Sequence, residues 1–281
     1  MEKTRPFYNA APRARGPASQ GSAGGDTGTA MTQAPPDSRG GNAGPSPVDR
    51  SLPHGSPPAV ALSWLHTARF LTTAPQLHFL PDLEIPEIAF VGRSNAGKST
   101  CINTLTQQKQ LAFASKKPGR TQHINLFSLG KHGVMDAVLT DLPGYGYAAV
   151  PRQEKVRWQQ VMANYLVTRK NLRAMVLMCD PRLGLTELDE LLLDLMRQRV
   201  QEGLKFLIVL TKADKLTRSE AAKALSIARL QAGGGEVRLF SATKRTGIED
   251  VAELLWAWAH PGATPQTPHP QAQPLAPDPA Q

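Results

Sequence analysis

A glycine-rich turn constrains this chain more than any other stretch. An apolar run at residues 88–91 leads into Gly92-x-x-x-x-Gly97-Lys98-Ser99, and a helical run at residues 98–105 follows it. This is the spacing of a phosphate-binding loop, in which glycines let backbone N–H groups point inward at a helix N-terminus. We expect Lys98 to reach the β- and γ-phosphates of a nucleotide and the Ser99 hydroxyl to bind Mg²⁺. The alternative is a Gly-rich strand-to-helix turn that holds a chance Lys-Ser pair.

Composition divides the 281 residues into three parts. Residues 1–59 are rich in Gly, Pro, Ser and Ala, and residues 261–281 alternate Pro, Gln, Ala and Thr. Neither part can bury enough apolar surface to offset the entropy cost of ordering, so we expect disordered ends around one domain at residues 60–260. No apolar run approaches ~18 residues and no secretory signal is recognisable, which predicts a cytoplasmic protein without a membrane partner.

The chain is basic, with a formal net charge of +9, most of it in the middle part. A basic domain favours RNA or the ribosome as a partner over a generically basic, soluble surface. The cluster of Arg169, Lys170 and Arg173 is expected to be simply solvated. Cys101 and Cys179 both lie in apolar runs, which predicts buried, reduced thiols and no disulfide.

Apolar runs alternate with helical segments in the middle part, which predicts an α/β fold. We expect six strands, at residues 87–91, 123–129, 134–141, 174–179, 206–210 and 237–240. The second and third form a hairpin, so the sheet should be mostly parallel with one antiparallel edge strand and helices on both faces. Residues 64–80 have no clean period and fit either an N-terminal strand or a short helix. Thr186, Thr217 and Thr246 each have the spacing of a capping box at a helix start.

Two further motifs follow expected strands, at the edge of the sheet where ligands of such folds lie. Asp141 stands where phosphate-binding-loop proteins hold Mg²⁺, directly or through a water molecule, and the Gly144 N–H could contact a γ-phosphate. An ordinary tight turn is the alternative for Asp141-x-Pro143-Gly144.

The second motif, Thr211-Lys212-Ala213-Asp214, is the candidate for reading the base. Guanine presents N1–H and N2–H₂ donors side by side, and the Asp214 carboxylate can accept both, whereas adenine offers no such pair. The Lys212 stem would lie along the base plane, and Ser241-Ala242 would add a backbone N–H toward guanine O6. A solvated Lys-x-Asp at a strand end is the alternative for the four residues taken alone.

The order of these motifs, with Thr121 between the first two, matches that of the translational-class GTPases. More specifically, residues 60–260 resemble the EngB/YihA/YsxC family of ribosome-biogenesis GTP-binding proteins, within the TrmE–Era–EngA–EngB–septin group. The runs that carry the resemblance are Gly92-Arg-Ser-Asn-Ala-Gly-Lys-Ser99, Lys117-Pro-Gly-Arg-Thr-Gln122, Asn125-Leu-Phe127, Asp141-Leu-Pro-Gly-Tyr-Gly-Tyr-Ala148 and Thr211-Lys-Ala-Asp-Lys-Leu216.

The resemblance implies a Ras-like P-loop GTPase fold, binding of GTP, GDP and Mg²⁺, and a role in assembly of the large ribosomal subunit. By family association it also implies a role in growth and division septum formation. We also expect a monomer. Thr121 becomes the switch I threonine, which closes on Mg²⁺ and the γ-phosphate. The loop with Lys116, Lys117 and Arg120 would be ordered by GTP and contact the ribosome. A solvated loop is the alternative for these cations. Tyr145 occupies the position of the water-orienting Gln of Ras-like proteins, which predicts slow hydrolysis raised by a partner.

The candidate site residues follow from these motifs. The nucleotide-binding candidates are Gly92, Arg93, Ser94, Asn95, Ala96, Gly97, Lys98, Ser99, Thr100, Gly119, Arg120, Thr121, Asp141, Leu142, Pro143, Gly144, Thr211, Lys212, Ala213, Asp214, Phe240, Ser241 and Ala242. The catalytic candidates are Lys98, Thr121 and Gly144. The metal candidates are Ser99, Thr121 and Asp141 for Mg²⁺, together with Asn95, which matches a K⁺ ligand of some relatives in this group.

Two other functions are compatible with the motifs. A metabolic P-loop kinase or ATPase would prefer ATP, which Thr211-Lys212-Ala213-Asp214 argues against. A GTP-holding RNA-binding or division-linked scaffold would release no phosphate even with ribosomal particles.

Overall fold

The structure is a computed structural model that describes residues 56–112, 123–131, 133–146 and 152–263. Most of the predicted leader, the segment with Gly119, Arg120 and Thr121, and the tail from residue 264 onward lie outside the described residues. A helix begins at Pro57, so regular structure starts inside the segment that the sequence assigned to the leader.

One sheet dominates the described part of the chain. Its seven strands have the order β1-β3-β4-β2-β5-β6-β7. They are β1 (Arg69–Ala74), β2 (Glu87–Gly92), β3 (Ile124–Leu129), β4 (Ala137–Asp141), β5 (Leu172–Cys179), β6 (Lys205–Leu210) and β7 (Glu236–Leu239). Strand β3 pairs antiparallel with both β1 and β4, and the remaining pairs are parallel.

The predicted α/β class and mostly parallel sheet are confirmed, with two corrections. The sheet has seven strands and not six, because residues 69–74, which the sequence left open, form β1. Strand β1 pairs with β3 through partners such as Arg69 and Ser128. The antiparallel strand is therefore second from the edge and does not itself form the edge.

Six α-helices connect and cover the described strands. They are α1 (Pro57–Leu65), α2 (Lys98–Leu105), α3 (Arg152–Thr168), α4 (Glu187–Gln201), α5 (Arg218–Gln231) and α6 (Ile248–Ala259). Thr186 and Thr217 are N-caps with capping boxes, as predicted. The third predicted cap is wrong: α6 is capped by Gly247 at φ 71°. The Thr246 backbone instead exchanges two 3.0 Å hydrogen bonds with Ser241, which takes it out of the helix start.

The core has two layers because successive strand residues point to opposite faces of the sheet. On one face, Ile88 and Phe90 lie in a cluster with residues of α1, α2 and α6. On the other face, Ala89 and Val91 lie with residues of α3, α4 and α5. Burial on both faces explains why the central strands are continuous apolar runs.

A buried polar network surrounds Glu87, the first residue of β2. Glu87 is fully buried and accepts hydrogen bonds from Thr140 Oγ1 (2.6 Å), Arg169 Nε (2.8 Å) and the Tyr165 hydroxyl. The expectation that Arg169 is solvated is therefore wrong, whereas Lys170 and Arg173 are exposed. An arginine at this place pairs with Glu87 because a buried carboxylate requires a partner.

Both cysteines are free and buried, as predicted. Burial raises the pKa of Cys101, and burial together with the nearby Asp189 raises that of Cys179 to about 12. Both thiols therefore stay protonated. No helix among the described residues combines the length and apolar character needed to cross a bilayer.

Candidate nucleotide-binding site

The glycine-rich turn joins β2 to α2, which begins at Lys98, so the strand–turn–helix context is confirmed. A Cβ at Gly92 would lie 2.8 Å from the carbonyl oxygen of Met178 on β5, so only glycine lets the two strands approach. Gly97 has φ +95°, a conformation that side chains with a Cβ rarely adopt. The turn therefore presents backbone N–H groups at a helix N-terminus, which favours anion binding.

Lys98 and Asp141 form a buried ion pair beneath this turn. The Lys98 ammonium donates to Asp141 Oδ1, and the two side chains are 8% and 0% exposed. The other carboxylate oxygen, Oδ2, is buried without a hydrogen-bond partner among the described residues. An unpaired buried carboxylate oxygen is costly, and a hydrated cation would satisfy it. The predicted donor set of the Asp141 carboxylate and the Ser99 hydroxyl is the oxygen-rich type that Mg²⁺ prefers.

The segment after Asp141 is bound to the main chain of the glycine-rich turn. The Tyr145 N–H donates to the Gly92 carbonyl (3.3 Å), and the Tyr145 carbonyl accepts from the Ser94 N–H (2.9 Å). A Cβ at Gly144 would lie 3.2 Å from Ser94 Cα. Gly144 is thus placed against the phosphate-binding turn, where its N–H could reach a terminal phosphate.

The Tyr145 side chain forms a hydrogen bond with a residue of α4. The ring is 8% exposed, and its hydroxyl donates to Asp189 Oδ1. Asp189 Oδ2 accepts from the Thr186 N–H and from Thr186 Oγ1, both at 2.7 Å, which caps α4. Burial and the nearby Asp189 carboxylate raise the pKa of Tyr145 well above its ordinary value, so the phenol stays neutral. This partner was not apparent from the sequence, since Tyr145 and Asp189 belong to no common motif.

The Thr211–Asp214 segment is tied directly to the phosphate-binding turn. Thr211 Oγ1 donates to the Ala96 carbonyl at 2.6 Å. Lys212 has φ 53°, and its ammonium donates to the Asn95 carbonyl at 2.8 Å. The segment expected to read the base and the turn expected to bind phosphate are thereby held as one unit.

Asp214 is held by the Ser241-Ala242 segment that follows β7. Ser241 Oγ donates to Asp214 Oδ1 at 2.7 Å and accepts from the Lys244 N–H at 3.0 Å. The Ala213 N–H donates to the Phe240 carbonyl at 3.1 Å. The hydrogen bond from Ser241 lowers the pKa of Asp214, so the carboxylate remains an ionised acceptor. The two sequence motifs, which are separated by about 27 residues, thus meet in space.

The described candidates converge at the carboxyl edge of the sheet, as predicted for a fold of this class. Asn95 is exposed and has φ 64°. Gly119, Arg120 and Thr121 lie outside the described residues, so the switch I prediction stays a prediction.

Sequence reasoning missed two charged residues beside this edge, Asp180 and Arg182. Asp180 follows β5, is 7% exposed, and accepts hydrogen bonds from Lys212 Nζ (3.0 Å) and Arg182 Nη2 (2.7 Å). No motif marks it. The available signal was its place: an Asp directly after a buried strand that neighbours β2 and β6 in the sheet.

Comparison with known proteins gives a consistent group of relatives. A family model described as "50S ribosome-binding GTPase" matches residues 87–212. A protein of Albidiferax ferrireducens named "Probable GTP-binding protein EngB" is 84% identical over 202 residues, which cover 72% of this chain and 98% of that protein.

Proteins of the same name show the similarity at greater distance. The one from Polaromonas sp. is 76% identical over 206 residues, covering 73% of this chain and 84% of that protein. The one from Burkholderia pseudomallei is 50% identical over 208 residues, covering 71% of this chain and 94% of that protein.

Proposed function

This chain belongs to the EngB family of GTP-binding proteins, and from that membership we propose that it is a GTP-dependent switch in assembly of the large ribosomal subunit. Its GTPase domain binds GTP and GDP, as the family does. The proposal also covers the residues that bind the nucleotide, the rate of GTP hydrolysis and the partner that responds to the bound nucleotide.

One observation carries the proposed site: Lys212 and Thr211 bond the carbonyls of Asn95 and Ala96, while Asp214 is held by Ser241. A guanine on Asp214 would therefore lie at a fixed distance from a triphosphate on the glycine-rich turn. Fixed spacing lets one nucleotide contact both segments without further ordering of the protein.

Lys98, the Gly144 N–H and Thr121 are the residues that we expect to hold the γ-phosphate. Phosphate oxygens would compete with Asp141 for the Lys98 ammonium, which would leave Asp141 available to a metal. Mg²⁺, held by Ser99, Asp141 and Thr121, would neutralise charge on the β- and γ-phosphates. The orphaned Oδ2 of Asp141 supports this assignment.

Slow intrinsic hydrolysis, raised by a partner, is the second part of the proposal. The Tyr145 hydroxyl bonds Asp189, so it does not orient an attacking water in this arrangement. The same observation favours a second candidate function, a GTP-holding RNA-binding scaffold without significant hydrolysis. Phosphate release by the protein with and without ribosomal particles separates the two, since a scaffold releases none in either case.

The ribosomal partner is supported by charge and by family. The matched family model is described as a ribosome-binding GTPase, and the chain has a net charge of +9. Lys116, Lys117 and Arg120 are candidates for contacts to rRNA phosphates. Action as a cytoplasmic monomer and a link to division septum formation belong to the same proposal.

Co-sedimentation with ribosomal subunits tests the proposal. The protein is incubated with separated subunits in GDP or a non-hydrolysable GTP analogue, at two salt concentrations. We expect it to pellet with the large subunit in the GTP-analogue state, and less so at higher salt because phosphate contacts are salt-sensitive. Equal association in both nucleotides, or association with neither subunit, would overturn the ribosomal switch.

Two solution measurements test the site itself. Calorimetry should show GTP and GDP binding with ATP excluded, and equal binding of ATP would restore the kinase or ATPase alternative. Potassium stimulation through Asn95 predicts faster turnover in K⁺ than in Na⁺ buffer. Equal rates, or no change on Asn95→Ala, would remove potassium from the proposal.

A further inference from the structure

Asp180 is a buried carboxylate that accepts hydrogen bonds from four donor groups of two residues, beside the Thr211–Asp214 segment. Its Oδ2 accepts from Lys212 Nζ (3.0 Å) and Arg182 Nη2 (2.7 Å), and its Oδ1 accepts from Arg182 Nε (2.9 Å). The Arg182 N–H adds a 3.2 Å contact to Oδ1. A carboxylate held in this way has little rotational freedom, so the position of Oδ2 is fixed relative to β5.

Lys212 requires such an anchor. Its ammonium lies at the end of a flexible four-carbon stem, and the side chain is 36% exposed. An exposed lysine loses substantial rotamer entropy when one conformation is selected. The Asn95 carbonyl provides a neutral acceptor at 2.8 Å, and Asp180 provides the charged one. One acceptor lies in the glycine-rich turn and the other follows β5, and together they hold the Lys212 stem in one place.

We propose that Asp180 is a positioning residue for guanine recognition, which acts by fixing the Lys212 stem where the base plane lies. The inference rests on the proposed guanine site at Lys212 and Asp214. Asp180 itself directly follows β5 and touches neither base nor phosphate in this scheme. It links the end of β5 to the Thr211–Asp214 segment and, through Lys212, to the glycine-rich turn.

Arg182 is the outer partner in this cluster. The Arg182 side chain is 49% exposed. Its Nε and Nη2 donate to Oδ1 and Oδ2 of Asp180, and Oδ2 also accepts from Lys212 Nζ. Hydrogen bonds from Arg182 and Lys212 hold the pKa of Asp180 well below its ordinary range. The carboxylate is therefore ionised throughout the neutral pH range, and its hold on Lys212 should not vary there.

Asp180→Asn tests the proposal in the full chain with Mg²⁺. The amide keeps the shape but loses the charge, so Kd for GDP and GTP should rise about tenfold, as expected for a charge-assisted hydrogen bond. Turnover at saturating GTP should stay within about twofold, because no group at the γ-phosphate changes. Asp194→Asn is the matched control, since Asp194 is 63% exposed and pairs with Arg197 on α4. An unchanged Kd in Asp180→Asn would overturn the proposal.

A double-mutant cycle separates positioning from general stabilisation. If Asp180 acts through Lys212, then Asp180→Asn should have little further effect on Kd in a Lys212→Met background. A tenfold effect that persists in that background would mean that Asp180 acts by another route. Arg182→Met should raise Kd less than about threefold, because the Lys212–Asp180 contact remains. An effect equal to that of Asp180→Asn would assign the role to Arg182 and overturn the proposal.

Thermal unfolding without nucleotide shows whether each variant is folded, and Asp180→Ser gives the same test if the Asn variant is not. Asp214→Ala is the reference for the guanine site. If Asp214→Ala keeps the preference for GTP over ATP, the proposed site is wrong. If that preference is lost while Asp180→Asn binds like wild type, the site stands and only the role of Asp180 fails.

Discussion

The proposed recognition of guanine depends on the orientation of one carboxylate, that of Asp214. The Ser241 hydroxyl fixes Oδ1 at 2.7 Å, and Lys215 lies 3.5 Å from Oδ2. These two contacts restrict the rotation of the carboxylate that we expect to accept from two adjacent N–H donors of a purine. The sequence predicts this role for Asp214 because the motif and its place after a buried strand are local features.

Changing Asp214 to Asn should change the preferred base. Xanthine carries a carbonyl where guanine carries its 2-amino group, so an amide that donates to it and accepts N1–H matches xanthine. We expect GTP affinity to fall at least about 100-fold and xanthosine triphosphate to bind better than GTP. Competition binding with GTP, xanthosine triphosphate and ATP measures this. Retained preference for GTP would contradict the assignment of Asp214.

The buried pair of Glu87 and Arg169 is the second feature at the residue scale. Arg169 is 12% exposed and also donates from Nη2 to the Pro81 carbonyl at 2.9 Å. Removing one partner of such a pair leaves a buried charge uncompensated.

Arg169→Met should therefore lower the free energy of unfolding by about 3 to 5 kcal/mol. Arg173→Met is the matched control, because Arg173 is exposed and should change stability by less than about 0.5 kcal/mol. Urea unfolding with an unchanged m-value gives both numbers. Equal stability of the two variants would mean that the Glu87–Arg169 pair contributes nothing.

At the scale of elements, the segment that follows β4 is held at two places. The backbone of Tyr145 pairs with that of Arg93 in the glycine-rich turn. The Tyr145 hydroxyl donates to Asp189 at the capped N-terminus of α4. A change in this segment would therefore be transmitted to α4, and its release would require loss of a buried hydrogen bond.

Tyr145→Phe tests whether this hydroxyl serves structure or chemistry. The variant should lose about 1 to 3 kcal/mol of stability, because Asp189 is left with an unmet acceptor. GTP affinity should be unchanged, and single-turnover hydrolysis should remain within about threefold of wild type, because the hydroxyl does not orient water. A loss of hydrolysis of about tenfold or more would instead place the phenol in the reaction.

At the scale of the whole molecule, a polar cluster joins the first and last helices of the described part to the sheet. Trp64 Nε1 of α1 donates to Asp136 Oδ1 at 2.8 Å, and His260 Nε2 lies 3.4 Å from Asp136 Oδ2. The His260 ring also stacks on Trp256 of α6. The hydrogen bond with Asp136 raises the pKa of His260, which outweighs the opposite effect of burial.

This cluster predicts a pH dependence of stability. A raised pKa in the folded state means that the contribution of His260 is complete below its ordinary value of 6.5 and is lost as pH rises through the folded pKa. The difference in unfolding free energy between wild type and His260→Gln should be larger at pH 6 than at pH 9, by about 1 kcal/mol.

The quantity to compare is the difference in unfolding free energy between wild type and His260→Gln, because contributions that both proteins share cancel in it. Burial lowers the pKa of His66, so His66 gives wild type the opposite trend, with stability lost as pH falls. Urea unfolding of both proteins from pH 5.5 to 9 isolates the His260 part. A difference that does not change with pH would show that the His260–Asp136 contact carries no charge.

The sequence by itself determined the α/β class, the strand-to-helix turn at Gly92–Lys98 and the helix starts at Thr186 and Thr217. These follow from local spacing, because a backbone turn or a helix cap is decided by residues a few positions apart. Tertiary structure alone decided the pairing of β1 with β3, and the contacts Glu87–Arg169, Tyr145–Asp189 and Asp180–Lys212. Their partners lie 82, 44 and 32 residues apart, and they meet only once the strands are ordered in the sheet. Buried charges and hydroxyls at such meeting points select their partners because an unpaired polar group in the core is costly.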